Sequence, residues 1–288
     1  MPGFKKFKEI VDTEITEGAV QYSTWRKSPT QTTTIGIWFD LSMSPGNPAA
    51  QYYAASPLVA TALARSTDGG LNHGGAVSPK KKFLRKATVL GTVATSLPMN
   101  MILLDYLLYY PFIDQSITDP QDMTNNVTLP RYTDGEGVMI MAVAVAAQIG
   151  GQSFNVTYTN SRGETGRVSK TVTMTTAQSV NGTIINSARA DVLGSGPFIP
   201  LQDGDTGVRS IESVTVNGAD VGLMSLVLVK PVAQLCLVGI DAPVEVDYLK
   251  DFSQMPEIKD DAYLNFICCP QGTLATQPLH GDILCIWK

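Results

Sequence analysis

Two apolar runs joined by a turn-rich link constrain this chain more than any other feature. Residues 101–114 read MILLDYLLYYPFID, residues 129–137 read LPRYTDGEG, and residues 138–147 read VMIMAVAVAA. Each run is too short to span a bilayer as a helix. Neither alternates between apolar and polar residues, so each predicts a central strand with both faces covered. A buried helix competes for residues 101–110; Pro98, Pro111 and the aromatic content favour the strand.

With 288 residues the chain is long enough for one large all-β domain or two ordinary ones. Charged residues make up only 16%, so the surface leans on Ser, Thr, Asn and Gln, as in β-proteins that pack against other subunits. A net charge of −5 argues against a nucleic-acid coat. The N-terminal residues are basic but lack the apolar core of a secretory signal, and a soluble protein with no membrane partner is expected.

Cys236, Cys268, Cys269 and Cys285 lack the spacing of a zinc site and read as reduced structural thiols. Neighbouring Cys268 and Cys269 would point to opposite faces of a strand. No cofactor is predicted.

In chain order, residues 1–34 read as an extended arm whose removal leaves the fold intact. Residues 35–43 (IGIWFDLSM) predict the first strand. Ser56 and Pro57 ahead of LVATALAR (58–65) predict a short helix. Lys80, Lys81, Lys82, Arg85 and Lys86 form the only dense basic cluster, read as a solvated edge ahead of a strand at 87–93 or as a contact patch. SFNVTYTN (153–160) and VSKTVTM (168–174) flank a turn and predict a hairpin with Phe154, Val156 and Tyr158 on its buried face. A polar segment at 175–190 carries the Asn181-Gly182 turn signal. The turn-rich motif at 193–233 predicts a buried strand at 223–229, and the runs at 263–269 and 282–287 predict strands, the last closing a sheet. These elements give an all-β fold, a β-sandwich or jelly-roll-like domain over 35–240, with residues 241–288 packing on or closing it.

The chemistry is sparse. The elbow, zinc and phosphate-loop motifs of common enzymes are absent. His73 in the glycine-rich stretch 66–75 would be the general base of an anion cradle, and a triad would need His73 or His280. Asp134 and Glu136 are the acid pair to test for glycoside cleavage, although their flanking glycines suit turn residues. Asp203 and Asp205 resemble a fragment of a calcium loop, with a plain turn the simpler reading. Asp105, inside an apolar run, needs an arginine or backbone donor if buried. The sequons at Asn126, Asn155 and Asn181 read as coincidences of a Thr-rich β-protein.

The stretches WFDLSMSPGNPAAQYYAASPL (38–58), LLDYLLYYPFID (103–114), LPRYTDGEGV (129–138), GDTGVRSIESV (204–214) and GLMSLVLVKP (222–231) resemble virion structural proteins of tailed bacteriophages. The resemblance implies a capsid decoration, or cement, protein bound to the outside of the head, with the phage major capsid protein as partner and a homo-oligomer, a trimer favoured. A neck, tail or baseplate component, a receptor-binding β-domain and a glycan-cleaving tail protein are the alternatives. No catalytic residue is carried over. Capsid contacts are expected from the arm, including Trp25 and Arg26, and from Lys80, Lys81, Lys82, Arg85 and Lys86.

Overall fold

The computed structural model describes residues 4–176, 180–186, 196–250 and 254–288. Parts of the polar segment (177–179 and 187–190) and of the turn-rich motif (193–195) therefore lie outside the described residues. The chain is all-β, with antiparallel ladders and two short helices, α1 (Phe7–Val11) and α2 (Arg65–Asp68). The strands are β1 (Val20–Lys27), β2 (Phe39–Asp40), β3 (Gly46–Asn47), β4 (Thr61–Ala62), β5 (Lys82–Gly91) and β6 (Met99–Asp114). They continue with β7 (Gln121–Asp122), β8 (Met139–Ala144), β9 (Ser153–Asn160), β10 (Arg167–Val168), β11 (Val172–Thr173) and β12 (Val208–Val216). The last are β13 (Leu223–Leu237), β14 (Val244–Asp247), β15 (Glu257–Ile258), β16 (Tyr263–Pro270) and β17 (Leu279–Trp287). No described helix is long and apolar enough to cross a membrane.

Three sheets result. A central sheet runs β2-β16-β6-β13-β8; a terminal sheet, β14-β5-β17-β1-β3, holds both ends of the chain; a hairpin sheet runs β10-β9-β12-β7. The first apolar run is the middle of the central sheet, as its unbroken hydrophobicity requires. The second, β8, ends that sheet's ladder, and its outer backbone groups bond to Thr183, Ile185 and Ile199.

Side-chain direction along β6 explains how one sheet supports two others. Met99, Met101 and Leu103 face the core shared with the terminal sheet. Leu104, Tyr106 and Tyr109 belong to the opposite face, covered by Met43, Tyr53 and Leu63. Beyond a register shift at Leu107, Leu108 and Tyr110 face the core shared with the hairpin sheet. An extra residue inverts the alternation, so Met101 and Leu108 lie on the same side despite their odd and even numbers. A matching shift near Val232 does this for β13, where Leu226 and Leu228 meet the hairpin sheet and Leu235 and Leu237 the terminal sheet. Two sandwiches thus lie side by side on one long pair of strands.

The hairpin forms as its alternation predicts, with Phe154, Val156 and Tyr158 fully buried. Four expectations need correction. Residues 20–27 are not an arm: β1 pairs with β17 along its whole length, and Trp25 packs on Phe266 of the central sheet at a ring separation of 4.7 Å. Cutting the chain at Ile35 would remove a core strand. Residues 263–270 form the expected strand, β16, between β2 and β6, but residues 279–287 do not close a sheet, since β17 lies between β5 and β1.

The helix at 58–65 gives way to pairing: Leu58 takes φ 60°, Ala60 and Leu58 exchange hydrogen bonds with Thr124 (2.9 and 2.8 Å), and β4 joins β6. Tertiary hydrogen bonds outweigh the few tenths of a kilocalorie per residue that helix propensity supplies. The strand at 35–43 shrinks to β2, because Gly36 turns at φ 73° and the Asp40 side chain caps the turn at Leu41–Met43 through the Ser42 amide.

Candidate functional site

The basic cluster straddles the start of a strand: Lys80 and Lys81 lie on the loop before β5. Lys82, Arg85 and Lys86 lie within β5, flanked by β17 on one side and by β14 and β15 on the other. Lys80 faces Glu17 (3.8 Å), Lys81 faces Glu257 (3.1 Å) and Lys86 faces Glu245 (3.5 Å). Arg85 is buried and bridges Glu14, in the helical turn after α1, to Asp247 of β14. These pairs fasten the N-terminal helix and β14 onto β5, so the cluster's charge is largely spent inside the molecule. Lys82 turns inward, where its Nζ donates to Gly75 O (2.7 Å) and His73 Nδ1 (3.1 Å). Trp25 is only 3% exposed, which leaves Arg26 as the exposed member of its pair. As a contact surface, the predicted set retains Arg26 and the outer lysines and loses Trp25, Lys82 and Arg85.

His73 is likewise buried, its Nε2–H donating to Ala262 O at 3.0 Å and its Nδ1 facing the Lys82 ammonium at 3.1 Å, so the ring points into the protein and not into the glycine-rich loop. Asp134 and Glu136 behave as turn residues. Asp134 Oδ1 accepts from the Glu136 amide (3.2 Å), Glu136 Oε2 accepts from Thr206 (2.8 Å), and Lys230 Nζ donates to Glu136 O (2.6 Å). Asp203 and Asp205 part company: Asp203 is exposed and pairs with Lys170 (2.9 Å), whereas the Asp205 side chain is wholly enclosed by Arg162, Arg167, Tyr158 and Asn160. Those donors hold Asp205 down to about 2 against the upward push of burial. Both carboxylates are spoken for by cations, and no described group of three His, Cys, Asp or Glu is arranged to hold a metal. All four cysteines are free; Cys268 is in the core and Cys269 half-buried on the other face, as expected.

Two buried polar networks brace the fold, one on the central sheet and one on the terminal sheet. Asp40 accepts from the Ser42 amide (2.9 Å), from Tyr106 Oη (2.7 Å) and from Tyr53 Oη. Burial pushes the Asp40 carboxyl up, and these donors oppose the push. Lys27, fully buried, donates to Ser44 O (3.0 Å) and Pro48 O (2.9 Å) and so fixes the loop carrying β3; its ammonium is pushed down to about 8 by burial. Lys27→Met should lower the unfolding free energy by about 2 kcal/mol. Two carbonyls lose their donor, but a buried charge is removed with it. Urea titration checks this, and an unchanged midpoint would show that the loop does not depend on the ammonium.

A surface feature that no sequence-predicted site residue marks lies at one end of the central sheet. β6 ends in a turn at 114–117, β8 runs on to Gln148 and Ile149, and residues 219–222 lead into β13. Gln115 ties them together: its amide donates to Gly222 O (3.1 Å), its carbonyl accepts from the Asp220 amide (2.9 Å), and its Nε2 donates to Gln148 Oε1 (2.8 Å). Ile149 N donates to Val221 O at 3.2 Å. Gly222, at φ 136°, is required, since a Cβ there would stand 2.7 Å from Gln148 Cβ. The lashed loops hold three aliphatic tips in solvent, Ile117 at 44%, Ile149 at 66% and Val221 at 59% exposure. The sequence signal was a large aliphatic set among Gly and Asp in a turn, where a polar residue is usual.

No known family pattern matches this chain. No curated protein matches it. Among solved structures, it is similar to the infectious bursal disease virus VP2 subviral particle, at 9% identity over 98% of this chain and 87% of the other, with a TM-score of 0.20. A structure of the Gt strain of that virus gives 7% identity, 93% and 80% coverage and a TM-score of 0.20. Likeness at that level carries no argument about this chain.

Proposed function

We propose that this protein is a non-enzymatic structural component of a virion, a decoration protein seated on the outside of a phage head. The observation that carries the reading is the rigid loop platform with Ile117, Ile149 and Val221 at its tips. Loops braced by one another lose little entropy on docking, and exposed aliphatics gain from leaving water. The sequence resemblance to phage virion proteins supplies the partner, the major capsid protein. A trimer would present the platform three times and so multiply a weak contact.

Quantitative mass spectrometry of purified particles tests the location. A copy number near that of the shell subunit is expected. A handful of copies per particle would move the chain to the neck, tail or baseplate, and absence would end the virion reading. The platform is tested by Ile149→Asp. Burying one such side chain contributes about 1.5–3 kcal/mol, so binding to undecorated heads should weaken about tenfold or more. Melting should be unchanged, because the residue is solvent-exposed in the free protein. Undiminished binding would move the contact elsewhere.

A further inference from the structure

The outer face of the terminal sheet carries a cleft of about 400 Å³ lined by residues of β1, β3, β5 and β17 together with Pro243. It lies where two strands separate. At Gly281 the β5–β17 ladder opens, and the Thr88 hydroxyl stands in for a backbone group, accepting from Asp282 N (2.9 Å) and donating to Asp282 Oδ2 (2.8 Å). Only glycine fits there, since a Cβ would stand 2.0 Å from Thr88 O and 2.7 Å from the Trp25 ring.

The hydrogen-bonding inventory of the cleft is lopsided. Its one acid, Asp282, is already engaged at both oxygens, by Thr88 and by Tyr22 Oη (2.6 Å). The Arg26 guanidinium, the His280 ring, the Asn47 amide and the Thr24 hydroxyl make no side-chain hydrogen bond among the described residues. Arg26 stands directly opposite His280 in the β1–β17 register, and no described carboxylate lies within ion-pair distance of it. The indole of Trp25, the most buried residue lining the cleft, keeps a buried Nε1–H with no hydrogen-bond partner among the described residues. A buried N–H without an acceptor is costly, and natural structures rarely leave one so.

We propose that this cleft binds a carboxylate. Arg26 offers the forked donor geometry that a planar carboxylate meets with two parallel hydrogen bonds. The remaining side chains supply further donors, and a cleft of this size suits a ligand about as large as one sugar acid or one acidic residue with its neighbours. A doubly charged phosphate would suffer more from the Asp282 charge beside it. The inference does not depend on where in a particle the protein sits.

The test is an NMR titration of the free ¹⁵N-labelled protein, following the Trp25 indole Nε1–H signal, assigned with Trp25→Phe. The probes are glucuronate, an N-acetylated, C-amidated glutamate peptide and, as neutral control, glucose. A saturating shift with an acid and none with glucose is expected, weakened about tenfold or more in Arg26→Gln, since a hydrogen bond to a charged group contributes about 1.5–3 kcal/mol. Preference for glucuronate assigns a small sugar acid; preference for the peptide assigns an acidic side chain of a partner. No shift with either acid, an equal shift with glucose, or unchanged affinity in the folded Arg26→Gln variant would overturn the proposal.

Discussion

Replacing Arg131 with methionine should lower the unfolding free energy by about 3–5 kcal/mol, the cost of leaving one partner of a buried ion pair alone. Arg131 and Asp105 have side chains only 6% and 1% exposed. Arg131 Nε and Nη2 meet the two carboxylate oxygens at 2.9 and 2.7 Å, and the remaining donors reach Tyr106 O (2.8 Å) and Leu63 O (3.1 Å). The Tyr263 amide adds a bond to Asp105 Oδ1 (3.1 Å). Burial pushes the Asp105 carboxyl up to about 6 and Arg131 pulls against it, so the pair is ionised at neutral pH. Asp105 sits on β6 between the two cores, and Arg131 belongs to the turn-rich link, so the guanidinium ties the link and the residue after β4 to the central strand while the Asp105 carboxylate holds β16 through the Tyr263 amide. The double variant Asp105→Leu, Arg131→Met removes both charges and should recover most of the loss. Guanidinium titrations of the three proteins decide it: a loss below about 1 kcal/mol in the single variant, or a double variant no better, would mean the pair is not what holds the link.

That pair also shows what was legible beforehand. A lone acid in an apolar run demands a donor, and the sequence pointed to Asp105 and to the need for an arginine or backbone N–H, though not to Arg131. The hairpin was readable from its local alternation and the central strand from its unbroken apolar run, both signals contained within a few neighbouring residues. The position of β1 was not, since VQYSTWRK carries no apolar alternation beyond Trp25 and Val20; its burial comes from pairing with a strand some 260 residues away, as in the Tyr22–Asp282 contact. Nor was the inward turn of Lys82 and Lys27. A lysine beside other cations reads as solvated surface, and only the backbone carbonyls brought to it by the fold make its burial tolerable. The loop platform fell between these cases, its aliphatics visible in the sequence and their assembly by Gln115 invisible.

The second large effect is an acid sensitivity centred on His73. The imidazole donates Nε2–H to Ala262 O and accepts from the Lys82 ammonium at Nδ1, so it is neutral, and a second proton would have to face that ammonium. Burial, then the Lys82 charge, push its pKa from the ordinary 6.5 down to about 4. The unfolded chain therefore binds a proton at a pH where the folded protein refuses it. This group's contribution is fully present above about pH 6.5 and is lost as pH falls towards 4. A difference of that size corresponds to about 3 kcal/mol once both states are saturated. Other groups titrate in the same range, Asp105 in the opposite sense, so the measurement is a difference between proteins. Urea titrations of the native chain and of His73→Gln, which can still accept from Lys82 and donate to Ala262, are compared at neutral pH and near pH 4.5. The native chain should lose about 2–3 kcal/mol more than the variant over that interval. Parallel curves would mean that the folded protein accommodates the His73 proton, and that the Lys82 ammonium or the Ala262 loop moves to receive it.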